Sequence, residues 1–149
     1  MAESKSKGGH PPKYSKPEEM QLVIDAYFDE CKGVPYVDPD TGLPRVTDKG
    51  QIVWQKFPKP PTVTGLALAL GFTSRQALLN YQAKKAFVDT VTKAKSRVEE
   101  YAESRLFDRD GANGAKFSLA NNFSGWREKQ DVNLESKTVV FSGEDKIPD

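Results

Sequence analysis

Cysteine and histidine are almost absent from this chain of 149 residues, which has one of each, Cys31 and His10. One cysteine excludes an internal disulfide, and the pair is too small for a structural zinc site, which takes about four such ligands. Cys31 lies on the apolar face of a predicted helix, where a buried, inert thiol is expected. A nucleophilic cysteine would need a positioned base, and His10 stands in a tail rich in proline and glycine. We therefore expect no metal, no cofactor and no catalytic thiol.

Long apolar runs and phosphate-binding loops are also missing. No stretch approaches the roughly 20 apolar residues that span a bilayer, and the start, MAESKSKGGHPPKYSK, has no apolar stretch typical of a secretory signal. We expect a protein that stays off membranes, in the compartment where it is made. The motif GxxxxGK[ST] is absent. Glu99, Glu100 and Glu103 cluster with basic residues of the same predicted helix, which indicates a solvated face. The sequence predicts a protein that is not an enzyme and has no catalytic residues.

Charge is unevenly distributed, although the net charge is only +1. Residues 1–16 carry four lysines against Glu3, a balance of +3, and residues 128–149 carry three lysines against six acidic residues, a balance of −3. The four lysines are Lys5, Lys7, Lys13 and Lys16. A basic start and an acidic end indicate two different partners, or two tails whose charges serve only solvation.

The chain divides into a tail, a helical domain and an end segment. Residues 1–14 are predicted to be disordered. The helical domain, residues 15–126, starts with a helix capped by Ser15 and Glu18, with Pro17 in its first turn and Gly33 at its end. Its inward face recurs at helical spacing and comprises Met20, Val23, Ile24, Tyr27, Phe28 and Cys31.

Residues 34–61 interrupt the helical pattern with six prolines. The turn signals DPDTG and TDKG are followed by a predicted strand, QIVWQKF, which we expect to pair with residues near Tyr36 or Val46. The segment is thus predicted to be an inserted β-hairpin. Trp54 and Phe57 are expected to be its packing residues, with stacking on nucleic-acid bases as the alternative.

The second half of the domain is predicted to contain a long helix and a short one. An apolar stripe runs to about Leu106 and is formed by Phe87, Val91, Ala94, Val98, Tyr101 and Ala102. A long amphipathic helix in a small protein often packs against a copy of itself. A short helix follows, marked by Ala112, Ala115, Leu119 and Phe123 and stopped at Gly125, just before Trp126. The end segment, residues 127–149, has a possible strand at 132–141 and a loose acidic tail.

The stretch TVTGLALALGFTSRQALLNY, residues 62–81, predicts a helix-turn-helix. Thr62 can cap the first helix, and Gly71 supplies the positive φ that a sharp turn requires. Thr73 is expected to cap the second helix in a capping box with Gln76. A mainly α fold with a helix-turn-helix, a long helix and an inserted β-hairpin is therefore predicted.

The second helix of this motif would turn polar side chains outward. Arginine pairs with guanine, and asparagine and glutamine pair with adenine, whereas lysines contact phosphates. The alternative is a helical corner whose exposed face is polar only because it is solvated. The predicted DNA-binding residues are Arg75, Gln76, Asn80, Lys84 and Lys85, helped by Lys5, Lys7, Lys13 and Lys16.

Three strings occur in an order that resembles the small terminase subunits of tailed double-stranded DNA phages. They are TVTGLALALGFTSRQALLNY, FVDTVTKAKSRVEEYAESRLF and GAKFSLANNFSGWREK. The likeness extends over about residues 17–130, and GAKFSLANNFSGW is its most specific part. The resemblance implies a non-catalytic, homo-oligomeric ring in the host cytoplasm, not expected in the mature virion. Such rings recognise viral double-stranded DNA and hand it to the large terminase subunit, which holds the ATPase and nuclease.

One feature departs from that family. Some members bind DNA through a basic C-terminal tail, whereas this tail is acidic. The departure directs the prediction to the helix-turn-helix and the N-terminal lysines. The alternative function is a dimeric helix-turn-helix transcriptional regulator, and the size of the oligomer separates the two.

Overall fold

The structure is a computed structural model that describes residues 13–128. Its helices are α1 (Pro17–Cys31), α2 (Val63–Ala69), α3 (Arg75–Gln82), α4 (Val88–Ser104) and α5 (Ala112–Asn122), and its strands are β1 (Val34–Pro35) and β2 (Trp54–Lys56). Short 3₁₀ turns follow α4 at Arg105–Phe107 and α5 at Ser124–Trp126. The prediction of a mainly helical protein is confirmed. The strand predicted at 132–141 and the acidic end lie outside the described residues.

Helix α1 begins one position later than a cap at Ser15 requires. Pro17 occupies the first helical turn, as predicted, and Lys16 before it is the extended cap residue at φ −128° and ψ 140°. A residue that precedes proline is excluded from helical backbone angles, which moves the cap from Ser15 to Lys16. The hydroxyl of Ser15 instead donates to the Glu19 carboxylate at 3.4 Å. The helix ends as predicted, with Gly33 at φ +78°.

The core forms where α1, α3 and α5 pack on the long helix α4, while α2 packs on α1 and α3. Val91 and Leu119 are completely buried, and Val98 is 4% exposed. The predicted inward face of α1 is buried except for Val23, which is partly exposed. Helices of the same chain therefore cover the apolar stripe of α4 except at Tyr101, which is half-buried.

The predicted hairpin is present as an arm, residues 34–57, hereafter the β-arm. Strands β1 and β2 are antiparallel, with Val34 opposite Lys56, and Val46 pairs with Ile52 nearer the tip. The β-arm is only two strands wide and has no second layer, so its side chains stay accessible. Phe57 is 74% exposed, and the prediction that it packs within the hairpin is wrong, whereas Trp54 is half-buried.

Helix α5 lies along α4 and returns the chain beside it. Ala115, Leu119 and Phe123 face inward as predicted, and Ala112 is half-buried. The helix ends at Asn122 and not at the predicted stop, Gly125, because Phe123 is extended at φ −132° and ψ 120°. The indole Nε1 of Trp126 donates to a carboxylate oxygen of Glu99 at 2.9 Å. This bond ties the final described turn back to α4.

Candidate nucleic-acid interface

Helices α2 and α3 form a tight corner, residues 62–82, hereafter the α2–α3 corner. The Thr62 hydroxyl accepts from the Gly65 amide at 2.9 Å and caps α2 as predicted, and Gly71 has a φ of +78° in the turn. The cap of α3 is Ser74, whose hydroxyl accepts from the Ala77 amide at 3.3 Å. The predicted cap at Thr73 is therefore wrong, because Ser74 is the extended residue that immediately precedes α3.

Two tyrosines from the α1 side fasten both ends of α2. At its start, the Tyr27 hydroxyl accepts from the Thr62 amide at 2.9 Å. At its end, the Tyr14 hydroxyl donates to the Leu70 carbonyl at 2.7 Å, and the Tyr14 amide donates to the Tyr81 hydroxyl at 3.1 Å. Burial raises the pKa of both Tyr14 and Tyr27, so both phenols stay protonated near neutral pH. These contacts fix the α2–α3 corner on the helical body.

The inward side of the corner is entirely apolar and aromatic. Leu66 and Leu78 are completely buried. The Tyr81 ring lies 5.1 Å from the ring of Phe72 and 5.1 Å from that of Phe87, which joins the corner to the start of α4. Because this side faces the core, the opposite side of α3 must face solvent.

The outward side of α3 carries the predicted base-reading residues. Gln76 and Asn80 are exposed one helical turn apart, and the Gln76 side-chain amide donates to the Asn80 side-chain carbonyl at 3.1 Å. Arg75 is half-buried at the first position of the helix. Side-chain amides and guanidinium groups have the donor and acceptor patterns that match adenine and guanine edges. The structure thus places all three residues on one short helix.

Two exposed lysines follow α3 directly. The Lys84 ammonium lies 4.0 Å from the centroid of the Tyr81 ring, a cation–π contact that keeps this charge beside the corner. Lys85 is its exposed neighbour. Within residues 13–128, Arg75, Lys84 and Lys85 form no ion pair with an acidic side chain. Their charges are therefore available to phosphate groups.

The N-terminal lysines fall into three situations. Lys13, which composition assigned to the disordered tail, donates its ammonium to the Gly71 carbonyl and lies 5.9 Å from the Phe72 ring centroid. An ammonium has three donors, so this contact leaves others for a phosphate. Lys16 is exposed at the start of α1. Lys5 and Lys7 lie outside the described residues.

Two features of this surface were missed in the sequence. No acidic residue occurs between Asp48 and Asp89, whereas six basic residues do, and this charge signal was available from the sequence alone. Two of the six, Lys56 and Lys59, are neutralised by Glu30 at 2.7 and 3.2 Å, and their hydrogen bonds hold the pKa of that carboxyl below its usual range. The second missed feature is Tyr14. The only sign in the sequence that it packs on the domain is that it is an aromatic residue next to a polar tail.

A separate cavity of about 610 Å³ lies between α1, residues 58–61 and α4. Four basic side chains line it, and each is paired with an acidic one: Lys32 with Asp29, Lys59 with Glu30, Arg97 with Asp25, and Arg105 with Asp108. Because these charges are already compensated, the cavity is a poorer anion site than the α2–α3 corner. Within the described part of the chain, no group of three metal-ligating side chains occurs, and no helix is long and apolar enough to cross a membrane.

The fold and this surface define a small helical protein with an exposed helix that carries amide and guanidinium side chains. In a comparison with known families, the model described as DNA-packaging protein gp3 matches residues 9–132. The match covers most of the chain, and the chain belongs to this family of phage DNA-packaging proteins. A comparison with individually curated proteins finds no match. The protein thus has a role in packaging phage DNA.

Proposed function

We propose that this chain is the small subunit of a phage terminase. It binds viral double-stranded DNA as a homo-oligomeric ring and regulates the ATPase and nuclease of the large terminase subunit. It works in the host cytoplasm, needs no cofactor and has no catalytic centre of its own. The observation that carries the DNA-binding part is the outward side of α3, where Gln76 and Asn80 are exposed. Lys84 and Lys85 follow and pair with no acidic side chain of residues 13–128. Membership in a DNA-packaging family supports the rest.

In this proposal the α2–α3 corner acts as a helix-turn-helix. Helix α3 lies in the major groove, where Arg75, Gln76 and Asn80 contact base edges while Lys84 and Lys85 contact phosphates. One copy offers few cations and binds weakly. A ring repeats the motif on one duplex, and the second and later contacts gain from effective concentration. Binding therefore falls steeply with salt, because each phosphate contact releases counterions.

The ring contact is proposed to involve α4, α5 and the turn between them. Phe107, at the end of the 3₁₀ turn after α4, is 89% exposed, and Phe117 on α5 is 73% exposed. Exposed aromatic rings on neighbouring elements are typical of protein interfaces. A head-to-tail contact between unlike surfaces closes into a ring without leaving an exposed end.

Oligomer size tests this function against the alternative of a dimeric transcriptional regulator. Light scattering of the purified chain, with negative-stain imaging of the same sample, is expected to give a closed ring. A dimer would favour the regulator, and a monomer at micromolar concentration would contradict both assemblies.

Regulation of the large subunit is tested by activity. The purified chain is expected to hydrolyse no ATP and to cut no DNA, yet to change both activities of its cognate large subunit when the two are mixed. The acidic end, including Glu144, Asp145 and Asp149, is the proposed docking strip. Deletion of residues 142–149 should reduce the effect on the large subunit, and an unchanged effect would remove the docking role while leaving the ring proposal intact.

A further inference from the structure

The β-arm concentrates the exposed apolar residues of the described chain. Within residues 13–128, twelve large hydrophobic residues are exposed, and seven of them lie in the β-arm, among them Leu43 at 65% and Phe57 at 74%. We infer that the β-arm of one copy of this chain binds the next copy, packing on the exposed rings of α5 and of the 3₁₀ turn before it. The inference rests on the proposed homo-oligomer and names both sides of its contact.

Backbone hydrogen bonds hold the β-arm in one conformation. The Tyr36 amide donates to the Val53 carbonyl at 2.8 Å. The Val53 amide donates to the Arg45 carbonyl, and the Arg45 amide donates back to the Tyr36 carbonyl, both at 2.9 Å. This closed cycle joins three segments of the arm, and at its base the Lys59 amide donates to the Cys31 carbonyl at 2.9 Å. A projection that is already ordered loses little conformational entropy when it binds a partner.

The apolar surface of the β-arm is large enough to require a partner. Its seven exposed hydrophobic residues present on the order of 600 Å² to solvent, at the upper end of the range for the largest apolar patch on a monomer. Two-stranded hairpins without a further layer are marginally stable in water. Burial against another surface would therefore stabilise the arm itself as well as the complex.

The charges of the β-arm favour a protein partner over DNA. Residues 34–57 contain three acidic residues, Asp38, Asp40 and Asp48, and three basic ones. One of the basic residues, Lys56, is already paired with Glu30 at 2.7 Å. The remaining charges of the arm are thus more acidic than basic, whereas affinity for DNA depends on an excess of cations that can replace counterions.

A second copy of the chain offers a matching surface beside α5. Among residues 13–128, the large aromatic residues that are exposed outside the β-arm are Phe107 and Phe117. A head-to-tail ring needs two unlike surfaces that bind each other, and a projecting hairpin and a helix face meet that condition. A covered area equal to that of the arm brings the total to about 1,200 Å², where specific protein interfaces begin.

The first test removes apolar surface from the arm and keeps its shape. The arm variant combines Val37→Thr, Val46→Thr and Ile52→Thr, at three exposed positions where threonine also favours a strand. Light scattering over a range of concentrations measures assembly. The concentration at half assembly should rise roughly 50-fold, because three buried methyl groups are lost at each contact. Circular dichroism should still show cooperative unfolding of the helical body.

The matched control makes three changes of the same kind outside both surfaces. It combines Leu22→Thr, Leu68→Thr and Val88→Thr, at exposed positions of α1, α2 and α4. This control should assemble like the wild-type chain.

A second variant keeps the test valid if the threonines disturb the hairpin. Replacement of residues 37–52 by Asn-Gly joins Tyr36 to Val53 through a two-residue turn. Loss of Arg45 frees the Tyr36 carbonyl and the Val53 amide, which can then bond each other. This shortened chain keeps the base of the arm and should be monomeric at concentrations where the wild-type chain is a ring.

The decisive experiment mixes two variants that fail to assemble for opposite reasons. The arm variant keeps the surface beside α5, and Phe117→Ser keeps the β-arm. At a concentration where each is monomeric alone, an equimolar mixture still has one intact contact, from the arm of Phe117→Ser to α5 of the arm variant. The other two surfaces of that pair are defective, so light scattering should give a dimer and no larger species.

Three results would overturn the inference. A mixture that stays monomeric excludes pairing between the β-arm and α5. If both arm variants assemble like the wild-type chain while Phe117→Ser does not, the arm is no part of the contact and the proposed ring still stands; loss of their effect on the ATPase of the large subunit would then identify that subunit as the partner of the arm. A wild-type chain that is monomeric at every concentration removes both the inference and the proposed ring.

Discussion

Helices α3 and α5 pack on the same long helix, α4, and yet present opposite chemistry to solvent. Each is held by two inward residues, Leu78 and Tyr81 on α3, and Ala115 and Leu119 on α5. Outward, α3 exposes a hydrogen-bonded pair of side-chain amides, whereas α5 exposes an aromatic ring, Phe117. Both helices bury apolar side chains against the core, so they differ only in the side chains that they expose.

This difference fits the two kinds of partner proposed above. Residues 49–88, which include α3, contain no acidic residue, so they favour an anionic partner, and the exposed amides of Gln76 and Asn80 match the edges of adenine. Next to α5 the charges have both signs, since Lys116 binds Glu128 at 3.1 Å. An exposed aromatic ring between compensated charges is better suited to a protein surface than to DNA. The comparison therefore supports the proposal that α3 binds DNA and that α5 contacts a copy of the chain.

The largest expected effect comes from breaking the helix that both surfaces share. Val98 on α4 is 4% exposed within one chain. Val98→Asp buries a carboxylate without a partner, at a cost of several kcal/mol that is comparable to the roughly 5–15 kcal/mol of a whole domain. We expect loss of the cooperative transition in thermal unfolding by circular dichroism.

The matched control for this change is Ser96→Asp, which places the same carboxylate on the exposed side of α4. A folded Val98→Asp chain that has merely lost its oligomeric state would show that the site is an interface and not core, contrary to the structure.

A smaller effect is expected from changing α5 alone. Phe117→Ser should leave the fold intact, because the ring is already 73% exposed, and should weaken assembly. Burial of a phenylalanine side chain contributes about 1.5–3 kcal/mol, and every contact in a ring would lose it. The measurement is the molar mass by light scattering as a function of concentration.

The control for α5 is Leu22→Ser on α1, because Leu22 is 74% exposed and is outside the proposed contact. If both variants keep the wild-type mass at all concentrations, the assignment of α5 to a copy of the chain fails.

Changes on α3 should affect DNA and spare assembly. Lys84→Ala and Lys85→Ala should weaken binding to all sequences alike and lower the salt slope by about one unit each. Arg75→Ala should instead reduce the preference for the packaging site, by about 1–3 kcal/mol for one lost base contact. Electrophoretic shift titrations of intact oligomers at two salt concentrations separate these effects.

Lys93→Ala, which removes an exposed charge from α4, is the control for the α3 series. The division of the surface would be refuted if Arg75→Ala disturbed assembly and left the affinity of the remaining oligomers unchanged.

Helical periodicity predicted most of this architecture because burial enforces it. Met20, Ile24 and Cys31 recur at the spacing of one helical face, and all three are buried. Gly71 was identified from the steric demand of the turn alone. Helix caps were less predictable. The predicted caps, Ser15 and Thr73, each lie one residue before the observed caps, Lys16 and Ser74, because the cap is the residue whose backbone angles are extended.

Contacts between distant segments could not be predicted from local patterns. Tyr14 follows a polar tail, and its bond to Leu70 joins residues 56 positions apart. The aromatic Phe57 suggested packing, but whether a hairpin is covered depends on the other elements around it. The candidate DNA-binding residues on α3 were identified because amphipathicity fixes which side faces outward, whereas the anchored position of Lys13 required the fold.

The smallest expected effect concerns Tyr14, which contacts both helices of the α2–α3 corner. Tyr14→Phe removes the hydrogen bond to the Leu70 carbonyl, and the free energy of unfolding at neutral pH should fall by about 1 kcal/mol. Because burial raises the pKa of Tyr14, the folded state holds the phenolic proton more tightly than the unfolded chain does. This contribution is complete below the ordinary pKa of about 10 and is lost as the pH rises through the folded value. The stability difference between wild type and Tyr14→Phe, measured by urea unfolding, should therefore narrow above about pH 10.

Tyr27→Phe, at the other end of α2, gives a parallel series because the pKa of Tyr27 is raised as well. A difference that stays constant into strongly alkaline solution would mean that the Tyr14 hydroxyl is not buried against α2, contrary to the structure.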